Sequence, residues 1–239
     1  MQKFETVALM AGGIAHDFNN LLTSISGNIS LSRYYMQESP EGLELLSSAD
    51  AACSRASELT SKLLSFSKYS YPQKKDVDIL SIIEESLSLS VPQKSIFTSI
   101  DAEANIFRVS ADEVQMVQVF NNLFINASQA MNGHGSIFIQ VSNYRSDEAK
   151  RLRKPRIQAI PLADYVMVTI RDTGSGIPED QIKYLFDPYF TTKEQGNGLG
   201  LTVVYAIVKK HGGEIQVESS PGRGTTFTIY LPSAQERSS

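Results

Sequence analysis

Two glycine-rich clusters, separated by a fixed stretch of chain, constrain this sequence more than any other feature. The first is Asp172-Thr-Gly-Ser-Gly176, and the second is Gly198-Leu-Gly-Leu201, which starts 22 residues after Gly176. Glycine allows the backbone to turn tightly and to approach a ligand closely. The pattern predicts a nucleotide held between a fixed loop and a mobile lid, with the lid in residues 175–196.

Two asparagines lie upstream, on a predicted helix that covers residues 112–131. Asn122 and Asn126 are four residues apart, so they project from the same side of that helix. Neutral amide oxygens suit a hard cation such as Mg²⁺ that also binds phosphates. Such a pair also occurs on helix faces for structural reasons alone, so it is informative only together with the glycine clusters.

Asp172 follows a predicted strand, residues 165–171, and its carboxylate can accept a hydrogen bond from an exocyclic amine. That chemistry favours adenine over guanine, although a tight turn after a strand explains residues 172–176 equally well when they are taken alone. Residues 196–200 open a predicted helix, where free backbone N–H groups bind phosphate. Thr225 and Thr226 begin the last predicted strand and are expected to reach the base through a hydroxyl or a water molecule.

The first 70 residues carry two apolar seams with the spacing of helices in a bundle. Residues 38–42 indicate a turn between two helices. Such a hairpin has little of its own to bury against, so pairing with a second copy into a dimeric four-helix bundle is expected. A bundle with the rest of the same chain is the alternative. The seam positions are Val7, Ala11, Ile14, Phe18, Leu21 and Ile25, then Leu45, Ala49, Ala52, Ala56, Leu59, Leu63 and Phe66.

The remainder of the chain is predicted to be a self-contained α/β unit. Polar residues 71–76 indicate a linker, residues 77–233 a second domain and residues 234–239 a tail. Helices and mostly hairpin-linked strands together give an α+β sandwich. Helices are predicted at 79–89, 112–131 and 199–211, strands at 95–100, 106–109, 136–141, 165–171, 214–218 and 225–231, and a polar surface loop at 142–164.

Composition narrows the class of protein. A hydrophobic content of 41% and a net charge of −4 fit a soluble globular protein, and the lack of a basic face argues against nucleic acid as a partner. No stretch of sequence is apolar enough to span a membrane, so a cytoplasmic chain, or the cytoplasmic part of a larger or membrane-linked protein, is expected. The single cysteine, Cys53, is expected to be a small buried residue.

Five motifs in order resemble the catalytic ATP-binding domain of sensor histidine kinases, within the gyrase/Hsp90/MutL-type ATPase superfamily. Residues 1–70 resemble the dimerisation and histidine phosphotransfer domain of the same kinases. There His16 lies in an Ala-His-Asp-Phe-Asn-Asn-Leu-Leu segment similar to that of hybrid and nitrogen-regulation-type kinases. The five motifs of the ATP-binding domain are the N box (122–126), the G1 box (172–176), the F box (186–193), the G2 box (196–201) and the last glycine box (222–225).

The resemblance implies a protein-histidine kinase that uses ATP and Mg²⁺, works as a homodimer through residues 1–70, and passes phosphate from His16 to an aspartate of a response-regulator receiver. Asp17 can fix the imidazole tautomer of His16 and make the other ring nitrogen a better nucleophile. Asn20, one helical turn on, stands where the family orients a water molecule for receiver dephosphorylation. A nucleotide-binding dimeric scaffold without kinase activity and a gyrase- or chaperone-type ATPase are the alternatives.

Two positions depart from the family pattern. Gln118, one turn before Asn122, replaces the glutamate with which hydrolytic relatives activate water, and a glutamine cannot act as a general base near neutral pH. Gln129 stands where many kinases have a basic residue, and Lys193 is expected to supply that charge. The residues assigned to ATP are Asn122, Asn126, Asp172, Gly174, Gly176, Ile177, Lys193, Gly196, Gly198, Leu199, Gly200, Leu201, Thr225 and Thr226, with Asn126 also the metal ligand.

Overall fold

The computed structural model of the chain describes residues 21–36, 39–68, 72–91, 95–145, 164–192 and 198–234. The chain divides into two compact units, Met1–Ser70 and Tyr71–Ser239. The first unit consists of α-helices in its described part, and the second combines a β-sheet with helices. The predicted α+β class is therefore confirmed.

The first unit contains an antiparallel helical hairpin. Helix α1 covers residues 21–35, and helix α2 covers Pro40–Lys68. The Ser39 hydroxyl accepts a hydrogen bond from the Gly42 N–H at 3.1 Å and so satisfies one donor at the start of α2. Arg33, near the end of α1, donates to the Ser47 hydroxyl at 3.0 Å and lies 3.7 Å from the Asp50 carboxylate, which ties the two helices together beside the turn.

The hairpin covers only part of its own apolar surface. Ile29 and Cys53 are buried, as was predicted for Cys53. In contrast, the seam residues Leu21, Ile25 and Leu45 remain 61%, 48% and 73% exposed. Large apolar side chains left exposed in one chain are available for burial against a partner.

The second unit is built on a five-stranded mixed sheet with the strand order β2-β4-β5-β7-β6, in which β2 and β4 are parallel and the other neighbours are antiparallel. A separate two-stranded ribbon joins β1 and β3. In chain order the elements are β1 (Lys75–Val77), α3 (Ile79–Ser90), β2 (Ile96–Ala102), β3 (Val109–Ala111), α4 (Glu113–Ala130), β4 (Gly135–Arg145), β5 (Asp164–Asp172), α5 (Glu179–Ile182), α6 (Gly200–Lys210), β6 (Glu214–Ser219) and β7 (Thr225–Pro232).

The core of this unit lies between the sheet and the helices α3, α4 and α6. Helix α4 is in the middle, in contact with α3 and with α6, and its buried side chains recur at helical spacing. Central strand β5 alternates buried and less buried positions, as expected when one sheet face carries the helices. Fully buried side chains from both layers include Phe120, Phe124, Ile139, Ile170 and Ile229.

Strand ends differ from the sequence prediction more than helix ends do. The last two predicted linker residues, Lys75 and Asp76, lie in β1, and β3 covers Val109–Ala111 instead of 106–109. Strand β4 continues to Arg145, well into the predicted loop. Residues 142–145 pair with residues 164–167 of β5. The Asn143 side chain also accepts a hydrogen bond from the Phe107 N–H at 2.9 Å and donates to the Asn105 carbonyl at 3.0 Å. None of the helices in the described part of the chain has the length and apolarity of a membrane span.

A buried histidine connects the end of α6 to the start of α4. His211 Nε2 accepts a hydrogen bond from the Asp112 N–H at 3.0 Å, and Nδ1–H donates to the Ile207 carbonyl at 2.8 Å. This arrangement requires the neutral ring, because a protonated ring has no acceptor for the Asp112 N–H. Burial lowers the pKa of His211, and the Lys74 charge lowers it further. The bond to Ile207 and the Asp112 carboxylate act in the opposite direction.

We expect stability to fall in mild acid because of His211. Its folded-state pKa lies below the ordinary value of 6.5, so the unfolded chain binds the proton more readily. The stabilisation is complete above about pH 6.5 and is lost as the pH falls through the folded pKa. His211→Asn should lower the free energy of unfolding near pH 7.5 by about 1–3 kcal/mol and should flatten its pH dependence in urea titrations. His134→Asn, at an exposed histidine, is the control, and an unchanged pH slope in His211→Asn would contradict the assignment.

Candidate functional site

The centre of the candidate site is Asp172, the last residue of β5. Its side chain is buried, with 4% of the residue exposed. Oδ1 accepts hydrogen bonds from the Gly174 N–H at 2.8 Å and from the Thr225 N–H at 3.2 Å. Two backbone donors therefore hold the carboxylate in one orientation at the end of a central strand, where it can act as a fixed hydrogen-bond acceptor.

Two glycines bring the loop after β5 against the turn between β6 and β7. Gly176 and Gly224 have φ angles of +70° and +81°, a region that residues with a Cβ rarely adopt. A Cβ on Gly176 would collide with the Ser220 carbonyl oxygen, and a Cβ on Gly224 would collide with the Asp172 carbonyl oxygen. The close approach of these two segments therefore requires glycine at both positions.

Further backbone bonds fix the same loop. The Ser175 N–H donates to the Ala130 carbonyl at the end of α4 at 3.0 Å, and the Gly222 N–H donates to the Ser175 carbonyl at 2.7 Å. The Ile177 N–H donates to the Ser219 hydroxyl at 2.8 Å. The loop is thus attached to helix α4 on one side and to the β6–β7 hairpin on the other, which agrees with the predicted fixed loop.

The two asparagines predicted to bind the nucleotide lie next to the start of α6. Asn122 and Asn126 lie half-buried on α4, and Gly200 is the first residue of α6. A Cβ on Gly200 would lie 3.6 Å from Asn122 Oδ1 and 3.9 Å from Asn126 Nδ2. The N-terminus of an 11-residue helix, whose first N–H groups have no intrahelical partner, thus adjoins two side-chain amides. This combination suits phosphate and a cation that accompanies it.

The donor set at this place fits Mg²⁺ carried in with a nucleotide. Within the part of the chain that the structure describes, no three His, Cys, Asp or Glu side chains form a group that could hold a metal ion. Asn126 offers a neutral amide oxygen, as a hard cation accepts. A cation held by so few protein ligands takes its remaining ligands from phosphate oxygens and water, which is the usual situation for Mg²⁺.

The segment between the two glycine clusters is anchored on α6. The Phe186 ring packs on the Tyr205 ring of α6 with centroids 5.2 Å apart, and Tyr184 packs on Phe190 at 5.9 Å. The Tyr189 N–H donates to the Gly198 carbonyl at 3.0 Å, and Tyr189 itself has a φ angle of +66°. Both ends of residues 190–198 are thereby held next to each other and next to the start of α6.

The structure brings together most, but not all, of the residues assigned from sequence. Leu199 is buried at the start of α6 and Leu201 is half-buried in its first turn. Strand β7 presents Thr225 on its buried side, whereas Thr226 pairs with Arg171 and lies on the opposite face of the sheet. The expectation that Thr226 reaches the base does not fit this alternation. The assigned residues outside the described part of the chain are His16, Asp17, Asn20, Lys193 and Gly196.

Ser219 belongs to the site although nothing in the local sequence indicates it. It is the last residue of β6 and pairs in register with Thr225, the first residue of β7. Its hydroxyl donates to the Gly224 carbonyl at 2.9 Å and lies 3.0 Å from the Thr225 hydroxyl. The signal that identifies it is the strand register together with the bond from Ile177, both of which need the fold.

Comparison with known families assigns both parts of the chain. Residues 111–235 match the family of histidine kinase-, DNA gyrase B- and HSP90-like ATPases. Residues 7–72 match the His Kinase A (phospho-acceptor) domain. The first match contains Asp172, both asparagines and the glycine clusters, and the second contains His16.

Individual relatives agree with this assignment. The sensor kinase CckA of Brucella abortus (strain 2308) is 38% identical over 239 residues, which cover 97% of this chain and 25% of that protein. The sensor histidine kinase ZraS of Escherichia coli (strain K12) is 34% identical over 237 residues, covering 97% of this chain and 46% of ZraS. The crystal structure of full-length ShkA in complex with AMPPNP shares the fold, with a TM-score of 0.72 and 20% identity over 95% of this chain and 46% of that chain. The chain spans less than half the length of each of these proteins.

The β6–β7 turn offers a matched pair of glycines for testing the site. Gly222 and Gly224 both have positive φ angles, but a Cβ on Gly222 meets open space and one on Gly224 meets the Asp172 carbonyl. Gly222→Ala should cost only backbone strain, about 1–3 kcal/mol, and should keep nucleotide affinity. Gly224→Ala should cost more and should abolish binding of a non-hydrolysable ATP analogue, measured by calorimetric titration. Equal effects of the two changes on binding would contradict the proposed contact.

Proposed function

This chain belongs to the family of histidine kinase-, DNA gyrase B- and HSP90-like ATPases, and from that premise we propose that it binds ATP at the Asp172 site and transfers the γ-phosphate to His16. Residues 1–70 then form the dimerisation and phosphotransfer domain, residues 71–76 the linker, residues 77–233 the ATP-binding domain and residues 234–239 a tail. The phosphorylated histidine next passes phosphate to an aspartate of a response-regulator receiver.

The orientation of the Asp172 carboxylate is the observation that carries this proposal. Bonds from two backbone N–H groups fix Oδ1 at the floor of the site, and Gly174 and Gly176 let the backbone approach a planar ligand. Such an acceptor matches the exocyclic amine of adenine and repels the oxo group of guanine or hypoxanthine. Ile177, whose N–H donates to the Ser219 hydroxyl, is proposed as part of the same adenine pocket.

The proposed position of the phosphates is the start of α6, beside Asn122 and Asn126. The N–H groups that open this helix donate to phosphate oxygens, and the helix dipole favours their negative charge. Residues 196–201 and Lys193 would contribute further donors around the γ-phosphate. Asn126 is proposed as the protein ligand of Mg²⁺, which when bound neutralises charge on the phosphates.

Autophosphorylation needs little chemistry from the protein beyond placement and one proton acceptor. Asp17 is proposed to accept a hydrogen bond from one ring nitrogen of His16, which would leave the other nitrogen as the nucleophile. That nitrogen forms a bond to the γ-phosphorus while the bond to the β–γ bridging oxygen breaks, and ADP leaves. The histidine proton passes to Asp17. Asn20 is proposed to orient water in receiver dephosphorylation.

Gln118 favours phosphotransfer over hydrolysis of ATP by water. It lies on α4, one turn before Asn122, and is half-buried there. A carboxamide has no basic site near neutral pH and therefore cannot remove a proton from an attacking water molecule. The histidine nucleophile does not need such a base at Gln118.

The cytoplasmic location, where ATP is available, stays a prediction.

The dimer is proposed from the apolar surface of the hairpin. Leu21, Ile25 and Leu45 leave large exposed areas in one chain, and a second hairpin with the same surface would cover them in a four-helix bundle. The match of residues 7–72 to the phospho-acceptor domain supports the same assembly. The receiver partner is proposed from the family alone.

Labelling with γ-³²P-ATP tests the phosphorylation site. Wild-type protein should acquire a label that is lost in acid and stable in base, as a phosphoramidate is, and His16→Gln should lose the label while keeping ATP affinity. His134→Gln, which changes an exposed histidine of the ATP-binding domain, should label normally. A label that persists on His16→Gln would contradict the proposal, and ATP binding without any label on wild type would favour the scaffold alternative.

Light scattering tests the dimer. Wild-type protein should have twice the chain mass of 26.4 kDa. Leu45→Asp and Ile25→Asp should give monomers, because a buried unpaired charge costs several kcal/mol (about 3–5). Ser54→Asp adds the same charge at an exposed position of α2, on the side of the helix opposite the apolar seam, and should leave the dimer intact. A monomeric wild type at micromolar concentration would overturn the proposed assembly.

A further inference from the structure

The Ser219 hydroxyl has three hydrogen-bond neighbours but only one proton. It lies 2.9 Å from the Gly224 carbonyl, 2.8 Å from the Ile177 nitrogen and 3.0 Å from the Thr225 hydroxyl. A carbonyl can only accept and a backbone N–H can only donate. The Ser219 hydroxyl therefore donates a hydrogen bond to the Gly224 carbonyl and accepts one from the Ile177 N–H.

The remaining neighbour, the Thr225 hydroxyl, must then donate to Ser219. If Ser219 instead donated to Thr225, the Gly224 carbonyl would lose this bond within a buried residue, which is costly. The proton of Thr225 is thus directed away from the site and toward β6. What Thr225 offers to a ligand is its oxygen lone pairs.

Thr225 and Asp172 are neighbours on the same face of the sheet. Arg171 pairs with Thr226 across β5 and β7, so the next positions, Asp172 and Thr225, adjoin each other and face the helical layer. The Thr225 N–H donates to Asp172 Oδ1, which confirms their proximity. The Asp172 carboxylate and the Thr225 hydroxyl are therefore two neighbouring side-chain groups that can accept hydrogen bonds from a ligand.

We propose that Ser219 is a positioning residue for nucleotide selectivity. By accepting the hydrogen bond of the Thr225 hydroxyl, it keeps Thr225 an acceptor toward the ligand. Thr225 and Asp172 together then recognise the 6-amino group of a purine nucleotide. An amino group carries two protons and can serve both acceptors, directly or through a bridging water. A 6-oxo group has no proton and would oppose both. This inference rests on the proposed adenine site and adds the residue that sets the direction of one hydrogen bond within it.

Inosine triphosphate tests the inference, because it carries an oxo group in place of the 6-amino group of ATP and, with it, an N–H in place of the lone pair at N1. The affinities of the full chain for ATP and for inosine triphosphate are measured by calorimetric titration, and their ratio is the readout. Ser219→Ala frees the Thr225 hydroxyl to turn its proton toward the 6-oxo group. The preference for ATP should fall about tenfold, the size of one hydrogen bond.

Two matched variants separate this role from a purely structural one. Ser219→Thr keeps the hydroxyl and should keep the wild-type ratio, whereas a general loosening of the hairpin would lower both affinities together. Ser220→Ala removes a hydroxyl from the adjacent, exposed residue and should leave the ratio unchanged. If Ser219→Ala does not fold, Thr225→Val, which removes the acceptor while keeping the shape, should lower the ratio instead.

The outcomes distinguish this inference from the proposed function. A wild-type protein that binds both nucleotides equally would remove the adenine site and the inference with it. A wild-type preference for ATP that is unchanged in Ser219→Ala, or in Thr225→Val where that variant is used, would overturn the role of Ser219 and leave the ATP site intact. A tenfold loss of preference in Ser219→Ala with retention in Ser219→Thr would support it.

Discussion

The rest of the ATP-binding unit depends on the bonds that Asp172 Oδ1 accepts from Gly174 and Thr225. These two N–H groups belong to segments about fifty residues apart in the chain, the loop after β5 and the start of β7. One oxygen atom thus joins two of the glycine motifs. Because both donors are backbone groups, the carboxylate keeps its orientation without relying on any flexible side chain, and a ligand meets a preformed acceptor.

Helix α4 links the base end of the site to the phosphate end. At its C-terminus, the Ala130 carbonyl holds the loop at Ser175. In its middle, Asn122 and Asn126 adjoin Gly200 at the start of α6. At its N-terminus, Asp112 is bonded to His211, which follows the last turn of α6. A single helix therefore sets the distance between the Asp172 carboxylate and the start of α6.

Helices were predicted more closely than strands, for a physical reason. Helix α4 was expected at 112–131 and covers Glu113–Ala130, because its start is marked locally by the Asp112 cap, whose side chain accepts from Gln115. Strand β4 was expected to end at residue 141 and ends at Arg145. Its last residues pair with residues 164–167 of β5 and are held by contacts between Asn143 and the 105–107 segment, which no local pattern reveals.

The amino-acid sequence was sufficient for the family and the α+β class, because glycines, asparagines and a strand-end aspartate at fixed spacings express local backbone requirements and local chemistry. Tertiary structure was needed to decide between Thr225 and Thr226 and to find Ser219. Those choices depend on strand register, since the pairing of β7 with β5 and β6 determines which side chains share a face. Register is set by packing of the whole sheet against its helices, and a one-residue slip would exchange the two threonines.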